Sequence, residues 1–257
     1  MSALAITCTQ PEYRSEPHRW QTSLPARMVR RIGRRWVITR HVEAFCRPLT
    51  VEGAEGLKTL GGPAIIIANH SSHFDSPTVY AALPGRIRSK IAMAAAADKF
   101  YASRKKRIWW PSLFQGAFPV HRGGGTKQLE YPLALMKKGY SILIYPEGGR
   151  SKSGQIARFK AGPAIMAMGG NVPVIPIYME GLRAIMPKGD KHPKPGPVHA
   201  RIGKPVSLAR AANVREATEM LENAMRELAG QAPHHHLVPP AAAAELTGAA
   251  ATGGGGR

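Results

Sequence analysis

The run Ala64-Ile65-Ile66-Ile67-Ala68 constrains this chain more than any other stretch. It is apolar at every position, which reads as a short strand buried on both faces. Further strand candidates lie at residues 90–94, 117–120, 141–145, 174–178 and 198–202, and helical stretches sit between most of them. Residues 74–83 follow the first strand. Residues 128–138 end at Gly139, a natural residue just past a helix end. Residues 163–168 begin with a proline in the first turn and stop at Gly169-Gly170. Residues 213–228 carry Val214, Ala217, Leu221 and Leu228 on one face, and the Lys- and Pro-rich stretch 187–197 reads as a loop. This alternation predicts an α/β fold, a single-domain mixed sheet flanked by helices.

The two ends differ in texture from the middle. Residues 1–23 mix Pro, Ser, Arg and Glu without periodicity and read as a flexible arm. Residues 24–47 carry seven Arg and form the expected basic amphipathic N-terminal helix. Met28, Val29, Ile32 and Trp36 share one of its faces, and Arg27, Arg30, Arg31 and Arg34 share the other. Such a helix suits a lipid headgroup layer, apolar face inward and guanidiniums among phosphates. A surface helix packing that apolar face on the main domain is the competing reading. The main domain is expected over 48–232. Residues 233–257 hold His, Pro, Ala and Gly tracts that cannot build a core and read as a disordered tail.

With 36 Lys and Arg against 16 Asp and Glu, the net charge is +20. Charge of that size favours anionic partners: nucleic acid, an anionic membrane surface or phosphorylated small molecules. No apolar stretch approaches the roughly 18 residues that span a bilayer, and no secretory signal is visible at the N-terminus. Cys8 and Cys46 have neither disulfide-framework nor metal spacing, so the expected location is cytoplasmic. The segment Arg104-Lys105-Lys106-Arg107-Ile108-Trp109-Trp110-Pro111 suits an interface with indoles at headgroup level, or equally a pair of core tryptophans with a charged flank.

Directly after the first strand comes Asn69-His70-Ser71-Ser72-His73-Phe74-Asp75. An imidazole and a carboxylate at the end of a strand are what proton abstraction from an alcohol requires. The imidazole accepts the proton near neutral pH, and the carboxylate fixes its tautomer and stabilises the imidazolium. His73 reads as a loop or cap residue. The exposed-serine elbow that would make Ser71 or Ser72 a nucleophile is absent. Arg122 and Arg150 each follow a candidate strand beside glycines, where a guanidinium could make bidentate bonds to a phosphate.

Downstream of the first block stand Gly116-Ala117-Phe118-Pro119-Val120-His121-Arg122, Tyr145-Pro146-Glu147-Gly148-Gly149-Arg150-Ser151, and Val172-Pro173-Val174-Ile175-Pro176-Ile177. In that order the four blocks resemble the phospholipid/glycerol acyltransferase family, the lysophosphatidate acyltransferases of PlsC type. The resemblance implies His70 as general base supported by Asp75, acceptor binding by Arg122, Glu147, Gly148 and Arg150, and no metal or cofactor. It implies transfer of a fatty acyl group from acyl-CoA or acyl carrier protein to a lysophospholipid hydroxyl, 1-acyl-sn-glycerol-3-phosphate by default. Other lysolipids, glycerol-3-phosphate or a glycolipid are alternative acceptors. The expected setting is peripheral, on the inner face of an anionic membrane, with nucleic acid not expected as a partner. The rival from another class is a non-catalytic basic protein that binds membranes or nucleic acid. Two departures flank the acceptor pocket: Gly149 stands where family members carry Thr, and His121 where many carry Asp.

Overall fold

The computed structural model of the chain describes residues 19–96, 116–120, 129–151 and 153–232. Residues 1–18 of the expected arm over 1–23, the paired tryptophans, His121, Arg122 and the tail from 233 lie outside the described residues. Seven strands form one sheet: β1 (Cys46–Glu52), β2 (Ile65–Ala68), β3 (Ile91–Ala96), β4 (Ala117–Val120), β5 (Ser141–Ile144), β6 (Val174–Glu180) and β7 (Gly196–Ile202). Their order is β1-β7-β6-β2-β5-β3-β4. Strands β6, β2, β5, β3 and β4 are mutually parallel, β7 is antiparallel to β6, and β1 runs parallel to β7. The sheet is therefore mixed, as the sequence implies.

Strand alternation splits the apolar runs between two cores. Ile66, Leu143 and Ile175 face a layer made by α4 (Asp75–Ala82), α5 (Gly85–Arg88) and α8 (Leu182–Ile185). Ile65, Ile67, Ile142 and Val174 face the opposite layer, made by α6 (Glu130–Lys137), α7 (Gly162–Gly170) and α9 (Val214–Leu228). All four residues of β2 are buried. At about 1.5–3 kcal/mol per buried isoleucine, this strand anchors both layers.

Three elements depart from the sequence reading. Strand β1 was not expected, because Pro48 and its half-exposed alternation demote the run; pairing with β7 at the sheet edge makes the strand. Helix α7 continues through Gly169 and Gly170 and stops only at Asn171, whose φ of 46° opens the left-handed turn. Strand β6 runs on past the expected 174–178 to Glu180, and inside it stands Pro176. It is tolerated because β7 pairs with β6 only as far as Ile202, and the Gly203 N–H donates to the Pro176 carbonyl beyond that point.

The N-terminal segment is helical over most of the expected range, in α2 (Leu24–Val37), a π-helical turn (Ile38–Val42) and α3 (Glu43–Phe45), but β1 takes Cys46 and Arg47, and α1 (Arg19–Thr22) forms inside the expected flexible arm. Ser23 caps α2 by accepting the Ala26 N–H, with Pro25 in the first turn. Its orientation, however, corrects the simple two-face picture. Arg30 and Arg34 are 2% and 4% exposed, whereas Ile32 and Trp36 are 68% and 61% exposed. The Arg34 guanidinium donates to the Arg88 carbonyl at 2.5 Å and the Ile91 carbonyl at 2.6 Å, and lies over the Tyr80 ring at 4.5 Å. Arg30 donates to the Gln21 carbonyl. Two of the four assigned arginines are thus buried, and Arg34 binds the body of the protein. Trp20, Leu24, Met28, Val29, Ile32 and Trp36 remain an outward apolar surface, with exposed Arg31 and Arg35 beside it.

Candidate active site

Strands β2 and β5 are neighbours and parallel, so the loops leaving their C-terminal ends emerge side by side. This is where open parallel sheets place their sites. The β2 loop carries His70 to Asp75, and the β5 loop carries Tyr145 to Ser151. Hydrogen bonds lock the two together. The His70 N–H donates to Glu147 Oε1 at 2.9 Å, and the Ser151 N–H donates to the His70 carbonyl at 2.7 Å. From β6, the Met179 N–H donates to Asn69 Oδ1 at 2.8 Å while Asn69 Nδ2 donates to the Met179 carbonyl at 2.9 Å.

His70 and Asp75 form the expected pair, with Nδ1 and Oδ2 2.6 Å apart. Asp75 is fully buried, a cost that only dense hydrogen bonding offsets. Its Oδ2 also accepts the N–H groups of Ser71 at 2.7 Å and Ser72 at 2.9 Å. As the first residue of α4, it sits where the helix dipole favours an anion. With Nδ1–H donated to this carboxylate, Nε2 carries the lone pair. The His70 side chain is 25% exposed, so the ring reaches solvent while its support does not.

Ser71 and Ser72 are both buried and committed to structure. Ser72 Oγ donates to the Met186 carbonyl at 2.8 Å and accepts the Phe74 N–H. His73 is exposed; what burial it has, then the Arg150 guanidinium and the His70 ring, lowers its pKa from the ordinary histidine value. That keeps His73 neutral, as suits a loop residue.

Glu147 lies under the site, not in its opening. Its Oε2 accepts the Ala157 N–H at 3.1 Å, so both carboxylate oxygens hold backbone amides. Burial raises its pKa, while the two amide bonds pull the other way. No ion pair links Glu147 to an arginine among the described residues; the geometry makes it a brace for the His70 backbone. Gly148 follows with φ 72°, a left-handed conformation that turns the loop and that a side chain would resist. Gly149 is different: a Cβ there meets nothing within 4 Å, so the missing threonine side chain is not excluded by packing.

Arg150 joins the site through Ser151 and through its electrostatic effect on His73. Its Nη1 is buried and has no hydrogen-bond partner among the described residues. Such a donor is costly to leave unmet and suits an incoming anion. The brace itself is anchored from far along the chain. In α9, buried Glu222 accepts the Phe159 N–H at 3.0 Å, and Arg226 donates to both Glu222 and the Ile156 carbonyl.

Sequence reasoning missed Asn69, Tyr145 and this α9 anchor. Asn69 and Tyr145 lay inside quoted blocks, so their placement at strand ends was an available signal. Tyr145 stacks on His70 with ring centroids 4.2 Å apart and planes 20° apart, and its hydroxyl meets Ser76 Oγ at 2.7 Å. From Val174 on, the fourth block is buried in β6, beside β2. Among the described residues no group of three or more His, Cys, Asp or Glu could hold a metal.

Comparison with known proteins places this geometry in context. The chloroplastic 1-acyl-sn-glycerol-3-phosphate acyltransferase LPAT1 of Arabidopsis thaliana is 30% identical over 170 residues, covering 63% of this chain and 45% of that protein. The chloroplastic enzyme BAT2 of Brassica napus, of the same name, is 30% identical over 168 residues, covering 63% and 46%. Taffazin of Dictyostelium discoideum is 32% identical over 139 residues, covering 49% and 47%. The chain spans about half the length of these relatives. The crystal structure of the 1-acyl-sn-glycerophosphate acyltransferase PlsC from Thermotoga maritima shares the fold, with a TM-score of 0.58 and 22% identity over 80% of this chain and 78% of that one. The Acyltransferase family model matches residues 48–180, which include most of β1, all of β2 to β6 and both site loops. That match covers more than half of the sequence, and the chain therefore belongs to the acyltransferase family.

Proposed function

We propose that this protein transfers a fatty acyl group from a thioester, acyl-CoA or acyl carrier protein, to the free hydroxyl of a lysophospholipid, with 1-acyl-sn-glycerol-3-phosphate as acceptor and phosphatidate as product. The observation that carries this reading is the buried, triply hydrogen-bonded Asp75 holding a solvent-reaching His70, with the unmet Nη1 of Arg150 on the neighbouring loop. The names of the relatives support the same acceptor.

In this reading His70 Nε2 takes the hydroxyl proton as the acceptor oxygen attacks the thioester carbonyl. The tetrahedral intermediate collapses by breaking the carbon–sulfur bond, and the proton passes from the imidazolium to the departing thiolate. Arg150, joined by Arg122, binds the acceptor phosphate. Glu147 and Gly148 shape the loop that presents Arg150. No metal or cofactor is required.

The protein works at an anionic membrane, peripherally and on its inner face. The outward apolar surface of α2, with Arg31 and Arg35 beside it and a net charge of +20, supports that location. Among the described residues no helix is long and apolar enough to cross a membrane.

The test supplies purified protein with long-chain acyl-CoA or acyl carrier protein and a panel of acceptors, read by mass spectrometry. Phosphatidate formation that disappears in His70→Ala is the expected result. Acylation of a different lysolipid, glycerol-3-phosphate or a glycolipid would move the acceptor assignment. Thioester consumption unchanged in His70→Ala would end the enzymatic reading. Binding to nucleic acid at physiological salt without binding to anionic vesicles would end the membrane reading.

A further inference from the structure

We infer that Tyr145 is a positioning residue for proton transfer: its ring is a fixed π-face that holds the His70 imidazole and favours the cation formed when that imidazole takes a proton. The inference rests on the acyl-transfer reading for its catalytic part, though not for its electrostatic part.

The geometry is close and doubly tied. The two rings stack at 4.2 Å and 20°. The Tyr145 hydroxyl is fixed to Ser76 Oγ at 2.7 Å, and Ser76 is the residue after Asp75 on α4. One hydrogen bond therefore joins the end of β5 to the first turn of the helix that supplies the carboxylate. Ser76 Oγ also lies 3.5 Å from Met93 Sδ, so β3 backs the same contact. With Nδ1 held by Asp75 and one ring face covered by Tyr145, the ring is fixed on two sides while a quarter of the side chain stays exposed for reactants.

The charge argument follows from the ring quadrupole. A cation over a tyrosine face is attracted to it, and more strongly where water is excluded. Neutral imidazole gains little from the stack; imidazolium gains more, so the contact strengthens as the proton moves. Desolvation first, and the Asp75 carboxylate second, push the Tyr145 phenol well above its ordinary pKa. The ring therefore stays neutral and its hydroxyl stays available to Ser76. The other ionisable groups bearing on His70 are Asp75 at its edge, Glu147 through the backbone and His73, with Arg150 acting on His73. Of these groups, Tyr145 supplies the π contact to the ring face.

The experiment compares Tyr145→Phe with pentafluorophenylalanine at the same position, a ring of similar shape with the opposite quadrupole, and adds Tyr145→Leu. The His70 ring titration is followed by NMR in the full chain, its signal assigned by loss in His70→Gln. Tyr145→Phe should titrate like the wild type. The fluorinated ring should lower the midpoint by about one pH unit relative to Tyr145→Phe, and turnover with lysophosphatidate should fall about tenfold. Tyr145→Leu should move the same way. Equal midpoints for the two rings would overturn the proposal, and so would a moved midpoint with unchanged turnover. If the wild type acylates none of the acceptors in the panel, the acyl-transfer reading fails by itself, and the ring titration still decides whether Tyr145 favours the imidazolium.

Discussion

The loop after β2 and helix α2 both bury charge, and they compensate it over very different distances along the chain. In the loop, buried Asp75 is met by His70, Ser71 and Ser72, none more than five residues away. In α2, buried Arg34 is met by carbonyls 54 and 57 residues away, on α5 and at the start of β3. The first arrangement can be read as a motif. The second is invisible until the sheet is assembled, because any arginine on an amphipathic helix looks solvated in sequence. What differs is the reach of the compensation, not the chemistry of the buried group.

The sharpest test of the local side is removal of the loop's own partners. Asp75→Asn should lower turnover by about 10³-fold or more with acceptor KM little changed, because the imidazole loses its tautomer and its counter-charge while the backbone N–H bonds lose strength. Steady-state kinetics on folded protein checks this; a loss in KM alone would show that the pair serves binding. On the remote side, Arg34→Ala should cost about 2–3 kcal/mol of stability by leaving the Arg88 and Ile91 carbonyls unmet, whereas Arg31→Ala should cost under about 0.5 kcal/mol. Denaturant melts separate the two, and equal costs would erase the distinction between inward and outward arginines.

Next in size is the outward face. Ile32→Ser with Trp36→Ser should weaken binding to anionic vesicles by about tenfold or more while turnover on monomeric acceptor changes little. Vesicle sedimentation against a short-chain substrate assay makes the comparison. The smallest effect concerns Glu147. Burial raises its folded-state pKa, so folding favours the protonated form. The resulting stability is fully present below the usual Glu range and is lost as pH rises through the raised value. Relative to Glu147→Gln, the wild type should therefore lose its advantage in Tm as pH rises above the usual Glu range. An advantage that grows with pH would show that the amide bonds, not burial, dominate.

Much of the architecture was legible because β2, β5 and β6 are apolar on both faces and short, which admits few placements. Strand β1 was not, since Pro48 and a half-exposed edge obscure its alternation. The site divides along the same line. His70 and Asp75 are fixed by neighbours in sequence, and their pairing was anticipated. Glu147 reads from the sequence as an acceptor-binding residue; that its two oxygens hold the amides of His70 and Ala157, across 77 and 10 residues, is visible only in the fold. Arg150 was anticipated by type and position, and its unmet Nη1 gives that expectation a physical basis.

The anchor from α9 has a practical consequence for handling the protein. Glu222 and Arg226 hold residues 156–159, that segment holds Glu147, and Glu147 holds the histidine backbone. Fraying at the far end of the last helix would thus be felt as sluggish turnover before any probe of bulk unfolding registers it. A tag or trimming cut that disturbs α9 would mimic a damaged active site, so assays of shortened forms should report helix integrity alongside rate.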